Sequence, residues 1–578
     1  MKTIRYIALS LGAAAFLLSG CSDSFLDKVP DERVEIDTEE KVVELLNSSY
    51  PQGNYGWVGE LSSDNLMDNN APHLPANPNV EQVLAHYNLG SYSRADDEMF
   101  RFEPCVSSTQ QDTPSFLWET FYNSIHSANY ALQAIDNIAA KTGMTEKLRV
   151  AQAEARLLRA YDHFILVNVF SQAYKDSVAS LQDQGVPYVT VPETNTHTHY
   201  DRGNVKEVYD KIQADLEAGL ANITDANYAT APKYHFNVNA AHAFAARFYL
   251  FKRDYQKVIK HADAVLGTDS ATLRSQLMDY SGFDSCTYSS DYGHVYQTAA
   301  ATNNIMIIDT YSAIQRHALG YRYGLISDAS RDIMFHNCPM WSGYVANPTA
   351  IVGGYLFWSG EDYGYFCGKA AEQFQYTDRL AGIGYVHVER REFTRCELLL
   401  ERAEAKIMTG DYNGALSDLI AYTKSMQNFS PSNVKTYQAQ ARMTPLAADM
   451  LDSYYSGTLR TLSSNCFANW DFTQNMSSSF VVPAEAVKYM NCLNDLRRFE
   501  TVWDGMRFFD LKRWGIEYEH RIGAGNEIIR LTWNDPRRAI EVPADAIAAG
   551  LAPSQPTTTT PSGTNYTMPS SSSYQVIK

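Results

Sequence analysis

Glu397-Leu-Leu-Leu-Glu-Arg-Ala-Glu-Ala-Lys-Ile-Met-Thr-Gly-Asp-Tyr-Asn-Gly-Ala-Leu-Ser-Asp-Leu419 decides the fold of this chain. It reads as two short helices joined at Gly410-Asp411. Leu399, Ala403 and Ile407 fall on one face of the first helix. Tyr412, Ala415, Leu416 and Leu419 make the matching face of the second. The small side chains of Ala403 and Ala415 let the two backbones approach closely. Gly410 can leave the first helix at positive φ, and Asp411 stands where an N-cap is wanted. The spacing predicts a helical hairpin of tetratricopeptide type.

The stretch Ala240–Ala262 repeats the layout: Asp254-Tyr255 matches Asp411-Tyr412, Ala246 matches Ala403, and Val258 takes the place of Ala415. A single hairpin cannot bury its apolar face alone, so several copies must stack. The copies are far apart, which makes the chain between them insertion. A third pair is predicted from Phe116–Leu132 and Val150–Phe170, and Val205–Leu220 adds a further helix. The expected fold class is therefore mostly α: tetratricopeptide-like helical hairpins forming a right-handed scaffold, with long irregular insertions carrying short strands such as Ile305–Ile308 and Tyr385–Val388. A short helix is predicted near Glu39–Leu46, irregular chain from Tyr55 to about Ser115, and one late helix over Leu496–Gly515. Gly505 inside that late helix costs about 1 kcal/mol relative to Ala, which implies close packing there.

At 578 residues the chain can bury a large core. A net charge of −18 argues against nucleic acid, which selects a basic face. Tyr, at 38 residues, far outnumbers Phe at 25 and Trp at 8, and Tyr suits contact surfaces that are apolar on one side and wet on the other. Lys2 and Arg5, the apolar run Tyr6–Leu18 and Leu18-Ser-Gly-Cys21 form a signal peptide closing on a lipobox, with Cys21 as the lipid carrier. Lipid on that cysteine anchors the chain to a membrane without spanning it. The other seven cysteines show neither disulfide nor zinc spacing. The chain accordingly divides into a signal peptide (1–20), a lipidated N-terminus and tether (21–50), one domain (51–550) and a Ser/Thr/Pro-rich disordered tail (551–578). Within the domain the hairpins cover about 116–170, 205–266 and 393–427, and the ligand-binding insertions about 55–115, 268–390 and 428–490.

These cues together resemble the SusD/RagB family. The lipobox with Ser22-Asp-Ser-Phe-Leu-Asp27, the helix holding Ala153-Glu-Ala-Arg156 and Arg159-Ala-Tyr161, and the hairpins at Asp254-Tyr255 and Gly410-Asp-Tyr412 carry the likeness. Most specific is Arg497-Arg-x-x-Glu500 followed by Asp504-Gly-x-Arg507-x-x-Asp510-Leu-x-Arg513-Trp-Gly515, where the family usually has Glu-Gly at Asp504-Gly505. The likeness runs from Cys21 to about Pro543; a Ser/Thr tail after Ala539–Pro543 departs from the family's usual ending. It implies a non-catalytic, surface-exposed outer-membrane lipoprotein that needs no cofactor. Such a protein binds an oligosaccharide, or in some members a peptide, and serves a SusC-like TonB-dependent β-barrel transporter.

The family does not place its ligand residues by motif, so the candidates rest on chemistry. Sugar rings present apolar faces and hydroxyl edges, which call for exposed aromatic rings beside polar groups. The densest insertion cluster is Trp341, Tyr344, Tyr355, Trp358 and Tyr363, and Trp57 beside Asp64-Asn65 is a second candidate. His197 and His199 lack a third metal ligand, and Asp284 and Asp291 lack a calcium-loop pattern. Arg507, Asp510 and Arg513 are expected as paired charges fixing the last helix. Three other readings stand beside oligosaccharide capture: a peptide ligand, a structural adaptor, and a hydrolase with two scattered carboxylates, whose spacing has no fixed signature.

Overall fold

The hairpin around Gly410-Asp411 forms as its spacing predicts. Its helices run Arg395–Met408 and Tyr412–Ser425, with Leu399, Ala403, Ile407, Ala415 and Leu419 all buried. Gly410 has φ +84°, and the Asp411 carboxylate accepts the Gly414 N–H at 3.0 Å. The structure is a computed structural model. It describes residues 35–71, 88–193, 198–280, 286, 289–324, 355–359, 362–365, 368–425, 446–456, 472, 479–525 and 527–554.

In chain order the principal helices are α1 (Glu39–Asn47), α2 (Gly56–Leu61), α3 (Arg94–Phe100), α4 (Pro114–Thr142), α5 (Glu146–Phe170), α6 (Val205–Leu220), α7 (Val238–Lys252), α8 (Tyr255–Leu266), α9 (Ser289–Gln297), α10 (Arg395–Met408), α11 (Tyr412–Ser425), α12 (Val487–Glu500) and α13 (Met506–Trp514). The scaffold is a run of packed neighbours: α4 on α5, α5 on α6, α7 on α8, α8 on α10, and α10 on α11 and α12. At the α7–α8 corner Arg253 takes the left-handed conformation, φ +65°, that Gly410 holds in the other hairpin. A side chain there costs about 1 kcal/mol. The Arg253 guanidinium offsets this by donating to the Arg513 carbonyl at 3.1 Å and stacking over Phe480.

The insertions carry the sheets. Strands β1 (Asn304–Tyr311), β4 (Gln373–Asp378) and β5 (Ile383–Thr394) form an antiparallel sheet in the order β1-β5-β4, and β5 runs directly into α10. Two hairpins complete the set: β2 (Tyr355–Ser359) with β3 (Asp362–Tyr365), and β6 (Tyr518–Ile522) with β7 (Glu527–Leu531).

Two expectations are corrected. The stretch expected to be irregular contains α2 and α3. Every residue of α2 is buried, so it lacks the one-sided periodicity that marks a surface helix. The single late helix is two helices, α12 and α13, separated at Thr501–Gly505. Gly505 is the residue before α13 with φ +74°, not an interior position. The close packing is real: a Cβ on Gly59 of α2 would lie 2.3 Å from the Gly505 carbonyl oxygen, and one on Gly505 2.8 Å from that of Tyr55.

Arg497 bonds Asp510 at 2.9 Å; Arg513 donates to Asp510 at 2.8 Å and to Glu404 of α10 at 2.7 Å. Arg507 grips Asp64 with two bonds, at 2.6 and 2.9 Å. The two guanidinium groups of Arg498 and Arg507 hold the buried Asp64 carboxyl down at about 2 despite its desolvation. Arg507, Asp510 and Arg513 are thus the paired charges the sequence suggested, buried so that each charge needs its partner.

Candidate functional site

The first insertion meets the second along a seam tied by side chain and backbone. Arg322 donates to Asp68 at 2.9 Å and to Asp97 at 3.2 Å. The Asn69 N–H donates to the Arg322 carbonyl at 2.9 Å, and the Arg322 N–H to that of Gly90 at 3.0 Å. The Tyr323 hydroxyl donates to Asp97 at 2.7 Å, and its ring stacks on Phe100, which stacks on His520. The first turn of α3 is closed by a capping box between Ser93 and Asp96. Asp96 then faces two ways: it accepts the Trp57 indole N–H at 2.8 Å and pairs with His317 at 3.1 Å. On the far side of His317, Asp112 accepts from the Ser312 hydroxyl and the Ala313 N–H, both at 2.6 Å. Burial lifts the Asp112 carboxyl to about 6, with His317 pulling the other way.

On this frame stand two exposed rings. Tyr92, one residue before the Ser93 cap, and Tyr321, one residue before Arg322, are 36% and 38% exposed. Their centroids are 5.2 Å apart at 74°, an edge-to-face pair. Tyr92 also packs on His317, with centroids 4.3 Å apart. Beside them Arg316 donates to Glu372 at 2.7 Å, and that carboxylate together with the Tyr92 hydroxyl raises the guanidinium's pKa. The arrangement offers apolar ring faces held still, with hydrogen-bonding groups at their edges.

Sequence reasoning missed this pair because neither tyrosine sits in a periodic or dense aromatic run. The readable signal was an aromatic next to a capping box in one insertion and a Tyr-Arg-Tyr in the other. Trp57 is corrected: it is fully buried, its N–H is spent on Asp96, and its ring lies 5.0 Å from His317. It supports the site from beneath. Its companions Asp64 and Asn65 are likewise core, bonded to Arg507 and Arg498.

The other candidates fall in two groups. Tyr355, Trp358 and Tyr363 lie on the β2–β3 hairpin, where Trp358 stands opposite Tyr363 and Tyr355 opposite Tyr365. Trp341 and Tyr344 lie outside the described residues, as do Cys21, His197 and Asp284. His199 is exposed near Asp201 at 3.5 Å, and Asp291 lies on α9. Among the described residues no group of three potential metal ligands converges, and no helix is long and apolar enough to cross a membrane. Cys105 and Cys396 are free thiols; burial pushes that of Cys105 up to about 12.

Residues 24–250 match a SusD-like family model described as "Starch-binding associating with outer membrane". None of the curated proteins matches the sequence. Among solved structures, a SusD superfamily protein from Bacteroides vulgatus is 16% identical, with a TM-score of 0.55 over 90% of this chain and 99% of its own. A SusD superfamily protein from Bacteroides fragilis is also 16% identical, with a TM-score of 0.54 over 90% and 99%. A SusD-like carbohydrate binding protein from Bacteroides vulgatus is 15% identical, with a TM-score of 0.50 over 89% and 96%.

Proposed function

Because the chain is SusD-like, in the sequence of residues 24–250 and in fold over nine-tenths of its length, we propose that it binds an oligosaccharide at the seam bearing Tyr92 and Tyr321. The observation that carries this reading is the exposed edge-to-face ring pair, fixed by ion pairs where two insertions meet. Ring faces of a sugar stack on such aromatics, and its hydroxyls suit the edges. The β2–β3 hairpin bearing Tyr355, Trp358 and Tyr363, together with Trp341 and Tyr344, supplies further aromatics to the same task. The starch-binding character of the matched family and the carbohydrate-binding neighbour support the ligand class.

Under this reading the protein is a binder without catalytic chemistry. Lipid on Cys21 holds it on the outer membrane facing the cell exterior, and it hands its cargo to a SusC-like TonB-dependent barrel. An array of soluble oligosaccharides tests the central claim. Tyr92→Ala and Tyr321→Ala should each weaken the best hit by about tenfold, roughly 1.4 kcal/mol, while lowering the melting temperature by no more than about 4 °C. Wild-type affinity in the double variant would remove the seam from the account, and binding to peptides alone would replace the ligand class. Metabolic labelling with a fatty acid, lost in Cys21→Ala, tests the anchor.

A further inference from the structure

The charges around the ring pair point to a narrower ligand class. Two guanidinium groups border Tyr92 and Tyr321, and both are already engaged. Arg322 is clasped by Asp68 through two nitrogens and touches Asp97. Arg316 meets Glu372 through Nε and Nη2. The imidazole of His317 lies between Asp96 and Asp112. Five carboxylates therefore face two guanidinium groups and one imidazole, so the seam stays net negative even with His317 protonated. The chain as a whole carries −18.

A carboxylate or sulfate could win either guanidinium only by displacing a carboxylate that already holds it through two nitrogens.

We infer that this seam selects uncharged glycans and rejects uronate-rich and sulfated ones, with Glu372, Asp68 and Asp97 as the residues that enforce the choice. The inference rests on the seam being the glycan site. The test uses the full chain in affinity electrophoresis against two sets. The uncharged probes are amylopectin, mixed-linkage β-glucan, galactomannan and xyloglucan; the charged ones are polygalacturonate, alginate and heparin. Retention is expected within the uncharged set only, unchanged between low and high NaCl because no counter-ions are exchanged. Glu372→Gln releases Arg316 from its carboxylate at a half-exposed position and should gain about tenfold in retention by polygalacturonate, a gain that salt removes. Asp97→Asn removes a second carboxylate from the seam while Asp68 keeps hold of Arg322, and should give a smaller gain of the same salt sensitivity. Wild-type retention by the charged set, or no gain in either variant, overturns the charge argument and leaves glycan capture standing. Silence of the wild type towards both sets removes both.

Discussion

Glu60 gives the sharpest test of how the frame is held. Its carboxylate is buried on α2, accepting the Asn65 side-chain N–H at 2.9 Å and the Gly505 N–H at 3.1 Å. Burial lifts the carboxyl from its ordinary 4.5 to about 7; the two donors limit the rise and the Asp504 charge adds to it. A raised carboxyl binds its proton more tightly in the folded state than in the unfolded one. Its contribution to stability is therefore complete below pH 4.5 and is lost as pH climbs through 7. Between pH 5 and pH 8 this single group should remove about 2.5 kcal/mol from the stability of the fold. Glu60→Gln cannot ionise, but it loses one acceptor, costing about 1 kcal/mol. The variant should thus be less stable than wild type at pH 5 and more stable at pH 8, with the two curves crossing between. Denaturant unfolding at both pH values, followed by tryptophan fluorescence, measures the difference. An equal loss at the two pH values would refute the reasoning, since it would mean that Glu60 folds as an ordinary carboxylate.

Three further outcomes follow from the geometry. Gly59→Ala puts a methyl 2.3 Å from the Gly505 oxygen and should destabilise by several kcal/mol, whereas Gly410→Ala, at φ +84° with open space around it, should cost only about 1 kcal/mol; thermal melts separate them. Arg513→Met leaves the Glu404 and Asp510 carboxylates short of their shared partner and should cost about 3–5 kcal/mol in denaturant unfolding. Trp57→Ala should lose about 3–5 kcal/mol of stability, while Trp57→Phe, which keeps a ring under His317, should leave glycan affinity within about threefold; a large affinity loss in a well-folded Trp57→Phe would return Trp57 to the ligand surface.

What could be read from residues alone was whatever depends on neighbours three or four positions away. The hairpin over 395–425 is such a case: apolar spacing, a glycine at the corner and an aspartate at the next cap are all local, and they recur at Asp254-Tyr255. The pairing of Arg507, Asp510 and Arg513 was legible because buried charges demand partners, although only the structure supplied Asp64 and Glu404 as those partners. The division between Trp57 and Tyr92 could not be read. Both are aromatic residues in a polar insertion, and one is core while the other is surface only because Asp96 and His317 intervene. Local periodicity is a property of consecutive residues, so the sequence by itself determined the helical scaffold. Which rings face outward depends on contacts between segments more than two hundred residues apart, such as Asp68 with Arg322, and those exist only once the chain has closed on itself.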